Sequence, residues 1–159
     1  MSAPMARIAI AALAACLLTG CGADADSAPT AETDAPGPAL RGTTWVVTEL
    51  VRTEAGVDRN TPVDQSTAQA TLSIAEDGAV SGSGGCNRLI GTATVRDESA
   101  DAATIDFRLG STRMMCAPDA MAVEDAVLGV LGEGTDALIS GDTLTLRAGD
   151  GHGLVLVAR

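Results

Sequence analysis

From Thr43 onward, apolar and polar residues alternate in short runs, the period-two pattern of half-buried strands. Thr43 to Val51 is β-branched and carries Trp45, the chain's single tryptophan, and reads as a first strand. Glu54 to Gln69 is polar and reads as a loop. Ala70 to Ile74 alternates cleanly, and Glu76-Asp77-Gly78 turns it into a short strand ending at Ser81. Gly82 to Gly85 then breaks the pattern, which resumes over Leu89 to Val95. Thr104 to Leu109 is the clearest strand, with Ile105, Phe107 and Leu109 on one face and Thr104, Asp106 and Arg108 on the other. One segment changes period. After Pro118, residues Ala120, Val123, Val127, Val130 and Leu131 recur at helical spacing. Pro118 suits a first helical position, Asp119 suits the positive end of the helix dipole, and Gly132 or Gly134 ends the helix. Ala137 to Ile139, Thr143 to Leu146 and Leu154 to Val157 follow as strands, separated by Ser140-Gly141-Asp142 and Asp150-Gly151. The expected fold is α+β: a compact, mostly antiparallel β-sheet or roll with one packed α-helix.

The front of the chain follows different rules. Arg7 precedes an uninterrupted apolar run from Ile8 to Leu18, which has the form of a secretory signal and is too short to span a membrane as a helix. Leu18-Thr19-Gly20-Cys21 resembles the lipobox of bacterial lipoproteins. That resemblance implies cleavage before Cys21 and acylation of its sulfur; the alternative is an ordinary signal peptide with a coincidental cysteine. Two or three acyl chains, diacylglycerol and palmitate among them, anchor stably without a spanning helix. Gly22 to Arg41 is acidic and rich in alanine and proline, with Leu40 its only large apolar residue, and is expected to be a disordered tether. The expected organisation is a signal peptide over residues 1–20, a lipidated tether over 21–41 and a folded domain over 42–159. The expected location is the cell membrane, lipid-anchored on the extracytoplasmic side.

Charge narrows the partners. All ten basic residues are arginine, against 21 acids, for a net charge of −11. Loss of residues 1–20 leaves nine arginines against the same 21 acids, or −12. Such a domain is a poor partner for nucleic acid or an anionic lipid surface. Cys16 falls in the leader and Cys21 in the lipobox, which leaves Cys86 and Cys116. In an exported protein a disulfide between them is the expectation, stabilising by about 3.5 kcal/mol on the chain-entropy view. Free thiols or a metal site are the alternatives, the latter short of ligands because His152 is the one histidine.

Catalytic chemistry finds little support. The glycine run before Cys86 lacks the Lys-Ser/Thr ending of a phosphate loop and reads as a bend, with Asn87 satisfying loop backbone groups. His152, in a Gly-His-Gly turn, reads as solvated, without an evident nucleophile to serve. Asp97, Glu98 and Asp101 read as a solvated acidic loop before a weak calcium site. Trp45, Met114 and Met115 read as core before ligand platform or partner surface. Glu124 lies beside the apolar helix face, where a carboxylate needs a partner. Arg113, just ahead of the helix, is the expected one, in a structural ion pair; binding of an anion or peptide is its alternative.

Gly85-Cys86-Asn87 after a glycine-rich bend, then Ser111-Thr112-Arg113-Met114-Met115-Cys116, then Glu124 on the following helix, resemble the META domain. Trp45 and the closing Leu144-Thr145-Leu146, Asp150-Gly151 and Leu154-Val155-Leu156 match the same pattern, so the resemblance covers about residues 42–159. It implies an HslJ-like envelope lipoprotein, a compact antiparallel β-structure with a helix, no enzymatic activity, no cofactor and no metal, and loose links to stress and drug tolerance. The motif positions it singles out are Trp45, Gly85, Asn87, Thr112, Arg113, Met114 and Glu124. The functional expectation is a membrane-anchored, non-enzymatic module for envelope stress, held by membrane lipid through Cys21 and binding an envelope protein. The alternative is a lipoprotein that binds a small molecule between helix and sheet.

Overall fold

The computed structural model describes residues 37–159; the expected leader, Cys21 and most of the tether lie outside them. Nine strands and one helix form among the described residues. They are β1 (Thr44–Glu54), β2 (Val57–Pro62), β3 (Gln69–Ile74), β4 (Ala79–Gly85), β5 (Arg88–Arg96), β6 (Ala102–Ser111), α1 (Pro118–Val130), β7 (Thr135–Ser140), β8 (Thr143–Arg147) and β9 (His152–Ala158). Every pairing between strands is antiparallel.

The expected α+β sheet or roll with a packed helix is overturned, because the sheet closes. β1 pairs through Thr44–Val46 with β3 and through most of its length with β9, so the first and last strands meet. β2 lies outside this closure, and the remaining eight strands make a β-barrel with one short helix. Closure removes the two open edges that an open sheet would expose. Alternating side chains fill the interior, with Trp45, Leu72, Ile74, Leu89, Ile105 and Leu144 wholly buried. Small residues let the barrel bend. A Cβ on Gly82 would stand 2.1 Å from the Thr71 carbonyl oxygen of β3, so only glycine permits the approach of the two strands there. For this reason the run Gly82–Gly85 continues β4 where the sequence suggested a break.

The two barrel ends are closed differently. At the end where β1 begins, the chain ahead of it folds across: Leu40 is buried in the core and its carbonyl accepts the Trp45 indole N–H at 3.2 Å. The folded unit thus takes in residues that the sequence assigned to the tether. At the other end α1 packs on β4, β9, β1 and β3. Its buried face is Ala120, Glu124, Val127 and Val130. Beside it β1 runs on and turns through Ala55-Gly56, both at positive φ, into β2, a hairpin inside the stretch expected to be loop.

Candidate functional site

At the helix end of the barrel the side chains of β4, the β4–β5 turn, the loop after β6 and α1 converge. Two glycines open the space. Gly85 has φ 116°, a conformation that side-chain-bearing residues rarely adopt, and a Cβ on Gly84 would stand 2.8 Å from Glu124 Cγ. Glu124 uses that room, and its side chain reaches into the barrel rim at 4% exposure.

Its partner is Asn87, itself 2% exposed. The Asn87 backbone N–H donates to Glu124 Oε2 at 2.7 Å, and the side-chain Nδ2 donates to Oε2 and Oε1 at 3.0 and 3.1 Å. Asn87 also holds the loop after β6. Its Oδ1 accepts from Thr112 Oγ1 at 2.9 Å and from the Met114 N–H at 2.6 Å, while Nδ2 donates to the Met114 carbonyl at 3.1 Å. Every hydrogen-bonding site of the amide is engaged, so the loop cannot shift without breaking buried hydrogen bonds. The Arg88 N–H donates to Thr112 Oγ1, and the Cys86–Cys116 disulfide, with Cα atoms 5.9 Å apart, ties the same two segments covalently.

The ion pair expected between Arg113 and Glu124 is absent. Arg113 is exposed and in no ion pair among the described residues, because the carboxylate is already saturated by Asn87 N–H groups. Met114 and Met115 also depart from expectation. The loop is pinned through its backbone and turns both side chains outward, Met114 at 60% and Met115 at 95% exposure. Ile90 and Met114 line one shallow groove, with Arg88 at its side. Trp45 stands apart from this cluster, in the barrel core.

The remaining candidates fall elsewhere. Glu98 is taken by Arg41 at 2.9 and 3.0 Å. Among the described residues no three His, Cys, Asp or Glu side chains gather as metal ligands. His152 opens β9, half-buried, with Nδ1 3.2 Å from an Asp150 oxygen, in place of the solvated turn expected. A backbone hydrogen bond from His152 holds the Asp150 carboxyl below the ordinary carboxylate range. A second feature is a cleft of about 670 Å³ between α1 and the β1–β2 extension, on the helix-to-sheet side where the alternative reading placed a pocket.

A closed antiparallel barrel with a helix across one end, and a cysteine-and-amide knot at that end, defines a small β-barrel module. The META domain family model matches residues 38–159, and the chain belongs to that family. It is not a known family of enzymes. Among solved structures, the chain resembles an NMR structure of a protein from Burkholderia xenovorans at 27% identity and a TM-score of 0.58, over 83% of this chain and 97% of that one. A second NMR structure, at 24% identity and a TM-score of 0.56, covers 74% of this chain and 90% of its own and shares the fold. No curated protein sequence matches the chain.

Proposed function

We propose that the protein is a membrane-tethered, non-catalytic interaction module of the cell envelope, acting under envelope stress. The observation that carries the reading is the near-complete exposure of Met115 on a loop held by a disulfide and a saturated buried amide. Large apolar side chains displayed on a rigid loop bind with little ordering cost, and methionine adapts to the surface it meets. With Met114, Ile90 and the cations Arg88 and Arg113, the patch complements an envelope protein that offers an apolar pocket with an acidic rim. The lipobox-like segment at Cys21 and a disulfide of the kind that persists outside the cytoplasm support the tether and the location.

The test is a photo-crosslinking residue placed at Met115, with a control at Leu138, which is also exposed but lies on β7. One discrete envelope-protein adduct from position 115, absent from position 138 and lost with Arg113→Glu, supports docking. No adduct, or the same adduct from both positions, refutes it. Loss of palmitate labelling in Cys21→Ser tests the tether separately.

A second reading, small-molecule binding, is favoured by the cleft beside α1, whose volume falls in the range of ordinary ligand sites.

A further inference from the structure

The cleft carries a charge pattern that the fold alone does not need. Arg52 on β1 faces Arg59 on β2 and His152 on β9 as direct cross-strand partners, and all three line the cleft. Directly opposed side chains share a face, and like charges so placed destabilise a sheet. The arrangement arises from a register shift between Val47 and Glu49. That bulge reverses the phase of β1, so that Leu50, paired with the buried Leu154, points inward, and Arg52 two residues on points the same way. The sequence therefore concentrates two of its ten arginines, in a chain of net charge −11, into one row facing a cavity.

Two of the three have a carboxylate beside them, and Glu54 and Asp125 line the same cleft, which leaves Arg52 as the cation without a partner among the described residues. Glu54 reaches the Nε of Arg59 at 3.3 Å, and Asp150 holds His152 from its Nδ1 side. Arg52 is in no ion pair among the described residues, and Asp125, on the opposite helix wall, pairs with neither arginine. Thr61 adds a hydroxyl, and the remaining lining is apolar or small. Leu50 and Val130 line the cleft, and Ala122, Ala126 and Gly129, spaced along one face of α1, leave the volume open.

Resting on the small-molecule reading, we infer that this cleft binds an amphipathic anion. A single carboxylate or phosphate head lies on the Arg59–Arg52–His152 row, and a short apolar body lies against α1. Two arginines presented side by side suit either head, since each can donate a forked pair of N–H groups.

Titration calorimetry of the full chain with decanoate, decyl phosphate and decanol tests this. At least one of the two anions should bind one-to-one and at least tenfold more tightly than decanol. Arg52→Gln and Arg59→Gln should each reduce that affinity toward the decanol level. Gly129→Leu should abolish binding of all three; a Cβ there meets no atom within 4 Å, so the added side chain starts into open cleft, and an unchanged urea midpoint checks that the fold is kept. If decanoate wins, a fatty-acid-like ligand is the source; if decyl phosphate wins, a lipid-derived phosphate is. If none of the three binds, small-molecule binding itself falls. If decanol binds as tightly as the anions, or Arg52→Gln leaves anion affinity unchanged while Gly129→Leu removes it, the cleft is a ligand site and the anion assignment is wrong.

Discussion

The carboxylate of Glu124 and the amide of Asn87 meet across the barrel rim, joined by hydrogen bonds from both the backbone and the side chain of Asn87. One residue comes from the helix and the other from the β4–β5 turn, so their contact fixes where α1 sits on the barrel. Because Asn87 also brackets Met114, the same contact fixes the loop between β6 and α1.

Removing either partner therefore leaves buried polar groups without compensation. Asn87→Ala should lower the unfolding free energy by about 3 kcal/mol, measured by urea denaturation. Glu124→Gln should cost about 1–2 kcal/mol, since one of its two acceptor oxygens becomes an N–H group facing the Asn87 donors. Equal stability of all three proteins would show that the contact is incidental.

The covalent tie acts on the same segments from the unfolded side. Reduction, or the paired change Cys86→Ser and Cys116→Ser, should reduce stability by about 3 kcal/mol. Denaturation with and without reductant reads this directly.

How much of this was legible depends on the range of the interaction. Period-two patterning in segments such as Ile105, Phe107 and Leu109 exposes local burial, and those strands were readable. Closure rests on β1 meeting β9, some hundred residues later, and no local pattern encodes that meeting. β2 was hidden because all six of its residues are exposed and its turn uses Ala55 at positive φ, where glycine or asparagine is the usual signal. The site was half legible. Glu124 on an apolar helix face announced a buried carboxylate, but charge suggested Arg113 where geometry supplied Asn87. The available clue was Gly84-Gly85, an opening through which a helical side chain could reach the turn. Met115 misled because an apolar side chain signals core by default, and here the loop backbone is pinned while its side chains are turned out.

Gly82 tests the barrel's curvature. Gly82→Ala places a methyl against the Thr71 carbonyl and close to Leu72 Cα, backbone that cannot move aside. The variant should fail to fold or lose several kcal/mol, about the upper end of single-site effects, as judged by Trp45 fluorescence against urea.

Acid should weaken the domain through three surface carboxylates. Asp58 is held below its ordinary 3.8 by hydrogen bonds from Arg147 and Thr53, Asp64 by Ser66, and Asp150 by the His152 backbone N–H. Each binds its proton less readily when folded, so the unfolded chain takes up more protons as the pH falls through the carboxylate range. The stability they contribute is present above their unfolded values and is lost as the pH drops through the lowered folded ones. Urea midpoints measured at falling pH should decline there, and Arg147→Met should flatten the decline.

The central claim is that the Asn87–Glu124 contact and the disulfide hold Arg113, Met114 and Met115 rigid while leaving their side chains exposed. Backbone ¹⁵N relaxation of these three residues measures this most directly. Order parameters near about 0.85 in the oxidised protein, falling below about 0.6 in reduced Asn87→Ala, are the predicted result. Values below about 0.6 in the intact, oxidised protein would contradict it, because a loop that is already mobile offers no preformed docking surface.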